Sequence, residues 1–235
     1  MKISYIITTI RPPEMAIKTI ASIKNQGVHE HEILIISPII QFKNTFQSID
    51  NVFFIEDKEN NGSVSANNLG CKLSNGDWLS FLPDDFFLKN IDINEFKNFL
   101  SGSEMNKKTF KMFSYHTYSA HKITGAYKTP IEEPYQIMHF PCVARETIDS
   151  KLSGVIFNHR FQHHFCDHWL GFYASLHEQY EPYNYSKFKQ PSSPEFINLH
   201  SNQQFTNSNF TNSDLQILIK LYLKFKENPE ISYNY

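Results

Sequence analysis

The feature that most constrains the fold is an alternation in the first 90 residues. Four short apolar runs, "KISYIITTI" (2–10), "HEILIIS" (31–37), "NVFFIE" (51–56) and "DWLSFL" (77–82), have the length and β-branched content of buried strands. Between the first two lies "PPEMAIKTIASIKNQG" (12–27), a helix opened by Pro12 or Pro13, with Met15, Ile17, Ile20 and Ile23 as its apolar face. "SVSANNLGCKLSNG" (63–76) reads as a shorter helix that ends near Gly76. Strands separated by helices imply βαβ units, a parallel sheet and right-handed crossovers. Ligands of such sheets bind beyond the carboxyl ends of the strands. "FLPDDFFL" (81–88) puts Asp84 and Asp85 on that edge, directly after the fourth strand. Pro-Asp-Asp is ordinary turn composition; two carboxylates at a strand end also suit a divalent cation.

The second half is less regular. "KTFKMFSYHTYSA" (108–120) and "KITGAYK" (122–128) alternate as antiparallel strands do, and "EFINLHS" (195–201) is a short run of strand type. "RETIDSKLSG" (145–154) predicts a short helix closed by Gly154, and "CDHWLGFYASLHEQY" (166–180) a longer one. "TNSDLQILIKLYLKFKENP" (211–229) has a polar cap, an apolar stripe of Leu215, Leu218, Tyr222 and Phe225, and a Pro229 stop. "HSNQQFTNSNFTNSD" (200–214), rich in Asn and Ser, is expected to be a mobile loop. There is no internal repeat.

Composition removes several classes of function. A net charge of −2 and only three arginines (Arg11, Arg145, Arg160) give no footprint for nucleic acid. No apolar run reaches the roughly 18 residues that span a bilayer, and the N-terminal stretch reads as a strand rather than a signal peptide. Cys71, Cys142 and Cys166 are odd in number and far apart, so no disulfide framework is expected, and the cytoplasm is the expected compartment. Lys220, Lys224 and Lys226 beside the last apolar stripe suit either peripheral contact with an anionic membrane or a helix whose stripe packs on its own domain. In "HRFQHHFCDHW" (159–169), His164 and His168 would share a helix face as zinc ligands do, but no second ligand pair follows. These histidines fit better lining a pocket or flanking Asp167.

Four stretches, in this order, resemble the family 2 type of GT-A glycosyltransferases, which transfer a sugar from a nucleotide-diphosphate donor. "ISYIITTIRPPEMAIKTIASIKNQ" (3–26) is similar to that family's first strand and helix, including the Ser-Ile…Gln ending. "NNGSVSANNLG" (60–70) resembles its Asn-x-Gly…Ala-Arg-Asn-x-Gly element, and "GDWLSFLPDDFFL" (76–88) its Gly-Asp-Tyr…Leu-Asp-x-Asp. "SGVIFNHRFQHHFCDHW" (153–169) resembles Gly-Gly-Phe-Asp…Phe…Glu-Asp. Pro83 stands for the first acid of the triplet, and Ser37-Pro38 for the acid after the second strand. Asn67 stands for the family's Arg, and Cys166 for its Glu. The implied fold is α/β and GT-A-like: a mostly parallel Rossmann-type sheet flanked by helices, with an antiparallel or mixed C-terminal part. Residues 1–205 would form the domain, with a nucleotide-binding half (about 1–90) and an acceptor-binding half (about 91–205), followed by a helix and tail (206–235).

The resemblance also implies roles. Asp85 would be a metal ligand for Mn²⁺ or Mg²⁺ and His200 would reach the metal or diphosphate. Thr8, Thr9, Arg11, Ser37, Asn61, Gly62, Asn67 and Asp84 would contact the nucleotide sugar. Asp167 would be the general base of an inverting transfer, or else simply a first-turn helix acid. The implied activity is metal-dependent, inverting transfer of one sugar to a glycan or lipid-linked acceptor, since the processive members' Gln-x-x-Arg-Trp motif and membrane helices are absent. Two alternatives are a GT-A-shaped binding or scaffold protein without turnover, and a nucleotidyltransferase, whose Gly-rich loop after strand one is missing.

Overall fold

The computed structural model describes residues 1–27, 30–88, 92–115, 117–119, 135–177 and 208–234. The four apolar runs become β1 (Ile3–Thr8), β2 (His31–Ser37), β3 (Val52–Glu56) and β4 (Trp78–Pro83), which pair with one another in parallel. β5 (Met112–Ser114) and β8 (Pro141–Ala144) extend the sheet, which has the order β3-β2-β1-β4-β8-β5, with β8 antiparallel to both β4 and β5. β6 (Thr117–Ser119) and β7 (Gln136–Met138) form a separate antiparallel pair. The expected mostly parallel sheet with an antiparallel part is what the chain forms. Sequence reading passed over β7 and β8, which are too short to show a period of their own.

Strand residues alternate between two cores. Ile3, Tyr5 and Ile7 point to one face, joined by Ile33, Ile35, Trp78 and Leu82; Ile6, Leu34, Ile36, Leu79 and Phe81 point to the other. Burial on both faces is why these strands read as continuous apolar runs. α1 (Pro13–Lys24), α2 (Lys43–Gln47), α4 (Ile93–Ser101) and α5 (Ser103–Asn106) cover the first face; α3 (Ser63–Leu73), α6 (Arg145–Lys151), α7 (Cys166–His177) and α8 (Ser208–Glu227) cover the second. Each fully buried Ile or Leu contributes about 1.5–3 kcal/mol. Because α1 and α3 lie on opposite faces, strand order reverses between β1 and β4. The crevice between their carboxyl ends is the switch point where ligands bind in open sheets.

Three expectations need correcting. The buried face of α1 is Ala16, Thr19, Ile20 and Ile23, with Met15 and Ile17 only half-buried, because Thr19 has a polar partner inside. The end of the segment expected as a mobile loop is helical, since α8 starts at Ser208. Finally, the apolar stripe of α8 faces its own core: Leu218, Leu221 and Tyr222 are buried, and Phe172 of α7 meets Tyr222 and Phe225 edge-on at 5.5 Å. Lys220, Lys224 and Lys226 are exposed. Tyr233 belongs to the same core: it donates its hydroxyl to the Ile156 carbonyl at 2.7 Å, and its carbonyl accepts from Trp169 Nε1 at 3.1 Å. The runs at 122–128 and 195–201 lie outside the described residues, and none of the described helices is long and apolar enough to cross a membrane.

Candidate active site

Asp84 and Asp85 are the two central residues of a turn in which the Phe86 N–H donates to the Pro83 carbonyl at 3.2 Å. The turn reading and the ligand-edge reading therefore both hold, since this turn sits at the β1/β4 crevice. α1 fixes it from below with residues on one helical face. Thr19 Oγ1 donates to the Asp84 carbonyl at 2.7 Å, Ser22 Oγ accepts from the Leu88 N–H at 3.0 Å, and Gln26 Nε2 donates to the Leu88 carbonyl at 2.8 Å. Spacings of three and four place such residues in line along a helix. That explains the Ser-Ile…Gln ending physically: its polar members hold the backbone that follows β4.

The carboxylates are almost fully enclosed, Asp84 at 4% and Asp85 at 1% exposure. Burying a carboxylate without compensation is costly, and Arg11 supplies the compensation. Its Nε donates to Asp84 Oδ2 at 3.0 Å and its Nη2 to Asp84 Oδ1, while the same Nη2 lies 2.9 Å from Asp85 Oδ2. Thr9 Oγ1 adds a 2.5 Å bond to Asp84 Oδ2. Thr8, at the end of β1, is paired in register with Pro83. The two carboxylates share the Arg11 guanidinium. Hard carboxylate oxygens fit a divalent cation, although the Arg11 guanidinium already lies against the Asp85 carboxylate. Among the described residues no group of three or more His, Cys, Asp or Glu side chains is poised to hold a metal, and His200 lies outside them.

Asp167 stands in the first turn of α7, where the helix dipole favours a carboxylate. Its Oδ1 accepts from the His168 N–H at 3.0 Å and its Oδ2 lies 2.8 Å from His139 Nδ1. Desolvation acts to raise its pKa, but the hydrogen bond and charge of His139, with the charge and backbone N–H of His168, together outweigh it and hold the group below the usual carboxylate range. His139 was not singled out from the sequence. It precedes β8, which runs antiparallel to β4 with Ser80 opposite Cys142, so it emerges at the edge where β4 delivers Asp84 and Asp85. Ring contacts join the two places: His139 to Phe140 at 4.9 Å and Phe140 to Phe86 at 5.0 Å.

A second missed residue positions α7. Asp214 of α8 is fully buried and accepts from the backbone N–H groups of Gln162 (3.1 Å), His163 (2.9 Å) and His164 (2.8 Å). This anchor holds the loop through Phe165, a bulky residue at φ 59°, in the left-handed region it would normally avoid, just before Asp167. The same loop packs on the start of α3. A Cβ on Gly62 (φ +94°) would meet the Gln162 carbonyl at 2.7 Å, so the position admits only glycine.

The remaining expected residues are used differently. Thr9, Arg11, Asp84 and Asp85 form one cluster, with Thr8 beside it. Ser37 is fully buried on the same sheet edge, its hydroxyl accepting from the Ile39 N–H at 3.2 Å. Asn61 is exposed and donates to Glu59 at 3.1 Å; Asn67 donates to the Ser63 carbonyl within α3 at 2.8 Å. The histidine cluster disperses: His163 pairs with Ser63 Oγ at 3.1 Å and His168 with the Tyr135 hydroxyl at 2.8 Å. All three cysteines are buried and free.

No protein-family model matches the sequence, and no curated protein matches it either. Solved structures do match in shape. Residues 1–349 of TarS from S. aureus give a TM-score of 0.53 at 13% identity, over 75% of this chain and 56% of that one. The same TarS fragment in complex with UDP gives 0.54 at 12% identity, over 75% and 55%. A longer TarS structure gives 0.50 at 14% identity, over 75% and 34%. The chain thus spans little more than half of the TarS fragment. The likeness is one of fold, and that fold is GT-A-like.

Proposed function

We propose that this chain is a glycosyltransferase that moves one sugar, with inversion, from a nucleotide-diphosphate donor to a glycan or lipid-linked acceptor. The observation that carries the reading is the enclosed Asp84–Asp85 pair, bridged by Arg11, at the switch point of a GT-A-like sheet. The match to TarS in complex with UDP supports a nucleoside-diphosphate donor. Arg11, Thr8 and Thr9 face the donor's diphosphate, a task suited to a guanidinium's forked donors. Ser37 and the Asn61-Gly62 turn, with Asn67 behind it, belong to the nucleoside side. Asp85 would hold Mn²⁺ or Mg²⁺, whose charge would offset that building on the leaving diphosphate, with Asp84 on the nucleotide-sugar side. The Asp167–His139 pair lies across the same edge and supplies the base for the acceptor hydroxyl.

The second reading, a binding protein without turnover, is favoured by one observation: Arg11 already neutralises much of the acid pair. Incubating the protein with UDP-, GDP-, CDP- and dTDP-sugars, with and without Mn²⁺, separates the two. Slow, metal-stimulated hydrolysis of one donor is the expected result. Donor binding with no hydrolysis and no transfer to any acceptor supports the second reading.

A further inference from the structure

We infer that His139 is the group that takes the acceptor's proton, and that Asp167 is the residue that positions it. The inference rests on the glycosyltransferase reading and assigns the base within its site.

Three observations lead there. First, both oxygens of Asp167 are engaged, one by His139 Nδ1 at 2.8 Å and one by the His168 N–H at 3.0 Å. Second, the exposures differ: the His139 side chain is 44% exposed and that of Asp167 15%, so the imidazole is the part of the pair open to an incoming hydroxyl. Third, an ionised carboxylate can only accept. The proton between the two groups therefore sits on His139 Nδ1, and the neutral ring carries its lone pair on Nε2. A carboxylate that fixes a histidine's tautomer while the distal nitrogen receives a proton is a general solution to base catalysis.

The charges around His139 favour this use. Desolvation lowers its proton affinity, but the hydrogen bond and charge of Asp167 overcome that and raise the pKa above the ordinary value. Another titratable neighbour among the described residues is His168, from the same helix as Asp167, whose pKa burial drives down. Asp167, pulled below the carboxylate range by the same contact, is the weaker base of the two.

In the step itself, the acceptor oxygen forms the bond to the anomeric carbon as its proton passes to His139 Nε2. The bond from that carbon to the diphosphate oxygen breaks, and its electron pair leaves with the nucleoside diphosphate.

The test compares the full-length wild type with His139→Ala and Asp167→Asn. His139→Ala should lose about 10²- to 10⁴-fold in kcat, with donor KM nearly unchanged, and added imidazole should restore part of the rate. The wild-type kcat should rise with pH along a limb above about 6.5, the ordinary histidine value. Asp167→Asn should move that limb down toward the ordinary value without abolishing it. A wild-type limb in the carboxylate range, or one that survives in His139→Ala, overturns the assignment. ¹⁵N NMR of the histidines provides a readout independent of turnover. Neutral His139 should be protonated at Nδ1, and Asp167→Asn should lower its pKa; an Nε2–H tautomer overturns the inference. Absence of turnover with every nucleotide sugar would count against the glycosyltransferase reading, while the NMR outcome would still decide the pairing.

Discussion

Two edges of the same sheet each bury carboxylates, and they do so differently. At the amino edge, Glu32 accepts from Lys2 Nζ at 2.8 Å, Ser4 Oγ at 2.6 Å and the Asn75 N–H at 2.6 Å. One carboxylate meets one ammonium, and both its oxygens are engaged by protein donors. Desolvation acts to raise the Glu32 pKa, but these bonds outweigh it and the net shift is downward. At the carboxyl edge, Asp84 and Asp85 share one guanidinium. The first arrangement is balanced and has no charge left for a ligand. The second divides one guanidinium between two carboxylates beside the switch point. The sharing of a charged partner, more than burial, separates the carboxylate that ties the fold together from the pair at the ligand edge.

The comparison can be broken by stability measurements on purified variants. The largest effect is expected from Glu32→Gln, which strands Lys2 and weakens three bonds; hydrogen bonds to charged groups are worth about 1.5–3 kcal/mol. Chemical denaturation should show a loss of about 2 kcal/mol, and an unchanged midpoint would mean that Glu32 is not structural. Acidification should reproduce part of this loss. Because the folded-state pKa of Glu32 is depressed, its contribution is present above the ordinary glutamate value near 4.3 and is lost as pH falls through the lower folded value. A stability curve for Glu32→Gln that falls as steeply as wild type below pH 5 would assign that slope to other groups. The smallest effect belongs to Asp85→Ala. Arg11 keeps both bonds to Asp84, so stability should stay within about 1 kcal/mol of wild type.

The parts legible in the sequence were those with a local physical signal. β1, β2 and β4 announced themselves because burial on both faces demands unbroken apolar runs. The placement of Asp84 and Asp85 followed, since the residue after a parallel strand must emerge on the ligand edge. The partners of those acids and of Asp167 carried no such signal. His139 meets Asp167 across 28 positions, through a four-residue strand too short to show a period. Asp214 sits in an Asn- and Ser-rich tract whose local meaning is a helix cap, whereas its actual partners are backbone groups some 50 residues away. Thr19 interrupts the apolar face of α1, and only the path of the chain after β4 explains why.

The central claim is that the acid pair and the Arg11 it shares form the donor's diphosphate site. Calorimetric titration tests it most directly, using UDP, GDP, CDP and dTDP in the presence of Mn²⁺ against wild type, Glu32→Gln and Asp85→Ala. One nucleotide should bind wild type and Glu32→Gln with the same Kd, and Asp85→Ala at least about tenfold more weakly, a difference of about 1.4 kcal/mol. Equal Kd values for Asp85→Ala and wild type, or a loss confined to Glu32→Gln, would contradict it.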